Sequence, residues 1–306
     1  MKNRKKIIIT TGDPNGIGAE VTFKALRHFE RDDFLIISNS KVFEGETDIE
    51  ISFDSDINYG KITGESGEFS YQALKKACEL AKTGDYSAIV TAPVSKEALH
   101  VAGYNFSGQT EILEKFLAHD NQKAEMLFVA KDFRVLLLTR HIALKEINLT
   151  KELIINKIKN LNEFLQGKLN IEKPKLALCA FNPHAGENGL FGTEEQNIIM
   201  PAVKELRKNG IDITNPLPAD TLFVKAGKNY LKGENVPYDC YIACYHDQGL
   251  IPIKTLASDD TVNTTIGLDI IRTSPAHGTA FDIAGKNIAN ESSMIEAIKQ
   301  AKKMLN

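Results

Sequence analysis

Three histidines follow closely on short, strongly apolar runs: Val135-Leu136-Leu137-Leu138-Thr139-Arg140-His141, Leu176-Ala177-Leu178-Cys179-Ala180-Phe181-Asn182-Pro183-His184, and Tyr241-Ile242-Ala243-Cys244-Tyr245-His246. Each run reads as a buried strand. In an open α/β sheet, ligands collect beyond the carboxyl ends of the strands, so three imidazoles delivered there are candidates for one shared site. Three neutral imidazoles suit a divalent metal with an open position for substrate. Zinc, cobalt or nickel fit by ligand type, and magnesium or manganese when supplied in excess.

A single histidine near a strand end is more often a hydrogen-bonded structural residue than a ligand. His184 departs from that rule because Pro183, Gly186 and Gly189 build an irregular loop around it. His246 opens His246-Asp247-Gln248-Gly249, three polar side chains directly after an apolar strand. His141 is the weakest of the three by itself. His28, His100 and His119 fall on or beside helices and read as solvent-facing, whereas His277 lies in Ser274-Pro275-Ala276-His277-Gly278-Thr279 and is a candidate cofactor contact.

Other polar residues offer anion and proton chemistry. Arg272 follows Ile270-Ile271, and a guanidinium there can grip a carboxylate or phosphate bidentately. Lys254 emerges after Ile251-Pro252-Ile253, and Asn263 sits in Val262-Asn263-Thr264-Thr265, where a turn role competes with ligand contact. Gln109 and Thr110 open a helix, so each either caps it or meets a phosphate at its N-terminus. Thr11-Gly12-Asp13-Pro14-Asn15-Gly16-Ile17-Gly18 lies between a strand and a helix but fits neither the P-loop nor the dinucleotide fingerprint. Tight turning and ligand contact are equally good readings of it, with Gly12, Asp13 and Gly16 the candidate cofactor neighbours.

Strands and helices alternate along the chain. Strands are expected at 6–10, 34–37, 88–91, 126–129, 134–138, 175–180 and 238–244, and helices at 19–29, 70–82, up to 117, 149–165, 194–208 and 292–305. This interleaving implies an α/β fold with mostly parallel sheets. The polar stretch 45–67 is either an edge hairpin or an excursion. A chain of 306 residues, 42% of them hydrophobic, is long enough for two domains, with both termini expected in one. A net charge of -3 gives no reason to propose nucleic-acid or membrane-surface partners. The basic start, Met1 to Lys6, precedes too short an apolar run for a signal peptide. Four cysteines without a C-x-x-C pair suit a reducing cytoplasm.

Taken in order, Thr11 to Gly18, Thr91-Ala92-Pro93-Val94-Ser95-Lys96, Ser107-Gly108-Gln109-Thr110-Glu111, Asn182 to Glu187, Pro218-Ala219-Asp220-Thr221, Tyr245 to Gly249 and Arg272 to Thr279 together resemble the 4-hydroxythreonine-4-phosphate dehydrogenase family of pyridoxal 5'-phosphate biosynthesis. The resemblance runs from about residue 6 to the C-terminus. It implies a two-domain fold similar to isocitrate and isopropylmalate dehydrogenases, with an interdomain cleft. The expected divisions are 1–108 plus 273–306 on the cofactor side, and 109–272 carrying substrate, metal and dimerisation surfaces. It implies one divalent metal per subunit (zinc, cobalt, magnesium or similar) on His141, His184 and His246, the last supplied across a homodimer interface. Substrate contacts carry over onto Gln109, Thr110, Lys254, Asn263 and Arg272. Many members have histidine at position 109, and glutamine cannot take its charge.

The reaction implied is NAD- or NADP-linked oxidation of 4-phosphohydroxy-L-threonine at C3, followed by decarboxylation to 3-amino-2-oxopropyl phosphate. A divalent cation would stabilise the developing alkoxide, with Lys254 and Asp247 moving protons. The resemblance also admits an alternative, since some relatives oxidise threonate or erythronate 4-phosphates instead. From other classes, a metal-dependent phosphate hydrolase would need more carboxylate ligands than these motifs offer, and a non-catalytic metal-binding protein would take up metal without NAD-dependent turnover.

Overall fold

The computed structural model describes residues 6–119 and 122–305, so all but the last residue of the basic start lies outside the described residues. The chain divides into two compact units, 1–124 with 262–306, and 125–261. Both termini belong to the first. The expected divisions after residue 108 and before residue 273 fall inside that first unit, so Gln109, Thr110, Asn263 and Arg272 belong to it, and the three strand-end histidines to the second.

The first unit begins with β1 (Lys6–Thr10), α1 (Gly18–Leu26), β2 (Phe34–Ser38), β3 (Ile49–Glu50), α2 (Gly64–Ala81), β4 (Tyr86–Thr91), α3 (Lys96–Val101) and α4 (Gln109–Leu117). The second contributes β5 (Glu125–Ala130), β6 (Phe133–Leu137), α5 (Lys151–Leu169), β7 (Lys175–Leu178), α6 (Met200–Lys208), β8 (Asp212–Ile213), α7 (Ala219–Lys232), β9 (Cys240–Ala243) and α8 (His246–Ala257). The chain then returns through β10 (Val262–Ile266), β11 (Ile271–Pro275) and α9 (Ser292–Leu305) to complete the first unit.

In the first unit the strands run β3-β2-β1-β4-β11-β10, parallel except for the β10–β11 hairpin. Buried side chains of β1, β2 and β4 pack against α2 and α4 through Ile8, Ile37, Ile89, Ala77, Leu113 and Leu117. Thr63 caps α2 by accepting from the Ser66 N–H at 3.2 Å, and the helix starts at Gly64, six residues before the expected start at Ser70. The early turn holds Gly64 and Gly67, poor helix formers by propensity. Gly67 is required by packing: a Cβ there would lie 2.0 Å from the Ala98 carbonyl oxygen of α3. The uncertain stretch 45–67 becomes a two-residue edge strand, coil, and the start of this helix.

In the second unit the order is β5-β6-β9-β7-β8, with β6, β9 and β7 mutually parallel and β5 antiparallel to β6. Thr150 caps α5, and Asn170 ends it in the left-handed conformation. Inside, the Lys157 ammonium pairs with the Glu125 carboxylate, both buried. Helix α8, which was not expected, lies against β5, β6 and β9. It can do so because its Gly249 has no side chain: a Cβ would stand 2.7 to 2.9 Å from Leu137, Val135 and Ala243. Gly249→Ala should therefore force α8 off the sheet and lower stability by about 1–3 kcal/mol. Urea unfolding measures this, and an unchanged midpoint would contradict the packing. Among the described residues no helix is long and apolar enough to cross a membrane.

Candidate active site

The three strand-end histidines leave three adjacent parallel strands at the same edge of the second unit. His141 follows the end of β6 by four residues, His246 is the first residue of α8 after β9, and His184 follows β7. Side chains tie these strand ends together. The Thr139 hydroxyl donates to the Cys244 carbonyl at 2.8 Å, the Cys244 N–H donates to the Gln248 carboxamide oxygen at 2.7 Å, and the Gln248 amide donates to the Ala180 carbonyl at 2.7 Å. Gln248 thus spans from the His246 turn to the approach of His184, a role invisible in the sequence because it is made through main-chain atoms.

The His141 and His246 rings stand 5.4 Å apart between centroids. His246 Nδ1 lies 2.6 Å from the Asp247 carboxylate. A carboxylate can only accept, so Nδ1 is the donor in this contact, and in the neutral imidazole Nε2 is then the nitrogen left for a metal or proton. Lys254 is seven residues beyond Asp247 on α8, on the same exposed face as Ile251.

His184 begins an unusual backbone. His184, Ala185, Gly186, Glu187 and Asn188 all have φ between 40° and 75°, four of them non-glycine residues in the left-handed region. Such residues cost of order 1–3 kcal/mol each and persist only where neighbours fix them. The fixing groups are at hand: Glu195, 3% exposed, accepts from the Asn182 N–H at 2.7 Å and its side-chain amide at 3.0 Å, and Glu194 accepts from that amide at 2.6 Å. Its own main-chain N–H and the Asn182 amide hold the Glu194 carboxyl below the ordinary carboxylate range. His184 packs near Phe191, with centroids 6.4 Å apart. Among the described residues of one chain, no three His, Cys, Asp or Glu side chains lie close enough to hold a metal ion. The donor chemistry fits a divalent metal, and the two imidazoles that one chain brings together are His141 and His246, a pair that the resemblance divides between subunits.

Among the described residues, one buried cation of the first unit makes its hydrogen bonds to neutral acceptors. Arg272, on β11, is 2% exposed. Its Nε and Nη2 donate to the Thr91 hydroxyl at 3.2 and 2.8 Å, Nη1 donates to Thr265 at 3.2 Å, and Nη2 to the Gln109 oxygen at 3.3 Å. Every one of these acceptors is neutral. Burial pulls the guanidinium pKa down to about 10 against the opposing charge of Glu111, so it remains cationic at neutral pH. Pairing Thr265 with Arg272 in the β10–β11 register puts Asn263 on the same face, and the Asn263 carboxamide oxygen is buried without a partner. Thr110, 6% exposed, sits in the first turn of α4 beside Gln109, whose amide donates to the Ala92 carbonyl at 3.1 Å. Of the residues read from the sequence as substrate contacts, Arg272 is thus the buried cation, and Gln109, Asn263 and Thr110 lie on the strands and helix of the same unit, bonded to it, on its face of the hairpin, or next in the chain to a residue that is. Thr91 and Thr265 were missed, since threonines within strands carry no signal of their own.

The glycine-rich loop is held by packing. A Cβ on Gly12 would stand 2.2 Å from the Pro93 carbonyl oxygen, and one on Gly16 would be 2.9 Å from Thr279. Asp13 is fully buried, accepts from the Asn15 N–H at 2.9 Å, and has its carboxyl pushed upward by burial. Gly16 also lines a cavity with Pro14, Phe23, Lys41, Tyr59 and Asn287. His277 Nδ1 contacts the Gly278 carbonyl at 2.9 Å, while its Nε2 is buried without a partner.

The family described as pyridoxal phosphate biosynthetic protein PdxA matches residues 5–301. The chain is 39% identical over 323 residues, 97% of each protein, to 4-hydroxythreonine-4-phosphate dehydrogenase of Sulfurihydrogenibium sp. (strain YO3AOP1). It is 38% identical over 325 residues, 95% of each, to D-threonate 4-phosphate dehydrogenase of Cupriavidus necator. The crystal structure of 4-hydroxythreonine-4-phosphate dehydrogenase from Klebsiella pneumoniae aligns with a TM-score of 0.83 at 32% identity, covering 99% of this chain and 100% of that one. Isocitrate dehydrogenase from Methylococcus capsulatus, at 15% identity and a TM-score of 0.54 over 98% of this chain and 88% of that one, shares the fold alone, as the mostly parallel α/β reading expects. With its motifs in order and its length matched almost from end to end, the chain belongs to the PdxA family of pyridoxal phosphate biosynthetic proteins.

Proposed function

We propose that this chain is a metal-dependent, NAD(P)-linked dehydrogenase that oxidises 4-phosphohydroxy-L-threonine at C3 and decarboxylates the product to 3-amino-2-oxopropyl phosphate. The observation that carries this reading is the buried, charged Arg272 whose hydrogen bonds go to neutral acceptors, a site preorganised for a phosphorylated or carboxylated substrate. Thr110 and Asn263 complete the polar surroundings of that anion, and Gln109 bonds the guanidinium at the place the anion would take.

His141, His184 and His246 would hold a divalent cation such as zinc, cobalt or magnesium. NAD or NADP belongs to the first unit, where the cavity beside Gly16 and the buried His277 Nε2 fit a ligand and Gly12 and Asp13 shape the loop from behind. When bound, the cation supplies Lewis-acid stabilisation of negative charge on substrate oxygen, and the nicotinamide accepts a hydride. The chain's residues do the rest. Asp247 fixes the His246 tautomer, Lys254 Nζ takes the proton of the C3 hydroxyl, and after carbon dioxide leaves the β-keto acid a proton returns to carbon from the same group.

A homodimer completes the histidine set in this reading. Ile142, Leu144, Leu190, Phe191 and Ile251 of the second unit are 46% to 71% exposed, an apolar surface that a second copy would cover. Four buried free thiols suit a cytoplasmic enzyme.

D-Threonate 4-phosphate is the second substrate to weigh, because the relative named for it is as similar as the others. Steady-state assays of reduced nicotinamide formation with both compounds test the assignment. A higher kcat/KM for the amino acid phosphate is expected, and a preference of tenfold or more for threonate 4-phosphate (about 1.4 kcal/mol in the transition state) would transfer it.

A further inference from the structure

We infer that Thr91 is a positioning residue, whose hydroxyl aims the Arg272 guanidinium at the substrate anion without neutralising it. This rests on the reading of Arg272 as the anion-binding residue. Thr91 is the last residue of β4 and fully buried. The β4–β11 register pairs Arg272 with Ile89, so Thr91, two residues on, lies on the same face of the sheet as the guanidinium. Its oxygen takes two donors, Nε at 3.2 Å and Nη2 at 2.8 Å, the latter the shortest contact the guanidinium makes. A single hydroxyl therefore closes one edge of the fork.

The remaining contacts are longer, 3.2 Å from Nη1 to Thr265 and 3.3 Å from Nη2 to Gln109. Gln109, also tied to the Ala92 carbonyl, is the most exposed of the three partners and the one an anionic oxygen would displace. A charged acceptor makes a shorter and roughly twice as strong a bond as a neutral carboxamide does. Thr91 is different: it is enclosed, doubly bonded and part of the strand.

The chemistry of position 91 follows. A carboxylate there would fix the same edge but cancel the charge and compete with the substrate. An apolar side chain would leave two charged N–H groups unpaired in the interior and free the guanidinium to turn. A hydroxyl accepts both bonds and leaves the positive charge intact, which is the requirement for preorganised anion binding.

The test compares Thr91→Val, which keeps shape and removes the acceptor, with Thr91→Ser, which keeps the acceptor. Arg272→Met and the double variant complete a cycle. With the phosphorylated substrate, Thr91→Val should raise KM by about 10- to 100-fold, as loss of a hydrogen bond to a charged group predicts, with kcat changed much less. Thr91→Ser should stay within about threefold of the parent, and Thr91→Val should add little in the Arg272→Met background. If the valine variant does not fold, Thr91→Cys, with its weak acceptor, takes its place and should show the same KM rise. An unchanged KM in Thr91→Val beside a large rise in Arg272→Met would overturn the role of Thr91 and leave the anion site standing. An equal rise in the serine and valine variants would overturn it too, pointing to packing by the threonine methyl. An unchanged KM in Arg272→Met would instead remove the anion-site reading.

Discussion

Replacing Arg272 with methionine is expected to cut kcat/KM for the phosphorylated substrate by about 10²- to 10⁴-fold, the cost of losing two charge-assisted hydrogen bonds to an anion. The same change should leave the melting temperature unchanged or raise it. The guanidinium is enclosed, with threonine and glutamine oxygens as its hydrogen-bond partners and Glu111 acting only through its charge, so the folded protein carries an incompletely compensated charge. Replacing buried ionic groups with apolar side chains of similar volume is often neutral or stabilising by about 1–4 kcal/mol. Opposite movements of activity and stability separate a binding cation from a structural one. Arg272→Lys keeps the charge but loses the planar fork, and should recover only part of the activity. Calorimetry and steady-state kinetics on the two variants decide the matter. A large fall in melting temperature with proportionate loss of activity would mean that Arg272 holds the sheet together.

The second large effect concerns the histidines. His184→Ala is expected to lower both divalent metal content after dialysis and turnover, by more than the roughly 100-fold upper range for losing an outer-shell partner. Asp247→Asn should act more mildly, within about 10- to 100-fold in metal affinity, because it disturbs the tautomer of His246 without removing a donor. Elemental analysis of the dialysed protein reads metal content independently of activity. Full metal content and full turnover in His184→Ala would exclude the three-histidine scheme. In that scheme the histidines come from two chains, so turnover per subunit should also fall on dilution below the dimer dissociation constant.

Much of this was legible in the sequence for physical reasons. The runs before the three histidines are continuous and apolar because β6, β7 and β9 are buried. Their parallel pairing then brings the histidines to one edge. What escaped was built from residues whose propensities point elsewhere. Helix α8 contains Gly249 and Pro252, which read as breakers, yet the glycine is what lets the helix lie on the sheet. The strand β10 is Val-Asn-Thr-Thr-Ile and β11 carries a buried arginine, so neither shows an apolar strand pattern. Helix α7 also went unread, with Gly227 inside it.

At the site, residue types were readable but their partners were not. Nothing in the order of residues says that Gln248 bonds Ala180, or that Thr91 meets Arg272 across 181 positions. The domain division shows the same limit. The expected division placed the substrate contacts in one domain with the metal ligands, whereas the β10–β11 hairpin and α4 fold with the first unit.

The central claim is that one turnover oxidises and decarboxylates a phosphorylated hydroxy acid at the expense of a nicotinamide cofactor. The most direct test is the stoichiometry of products from 4-phosphohydroxy-L-threonine, with a divalent metal and NAD or NADP present. Reduced nicotinamide and carbon dioxide are expected in equal amounts, with the phosphate ester intact. Release of inorganic phosphate without reduction of the nicotinamide would contradict the account and identify a hydrolase.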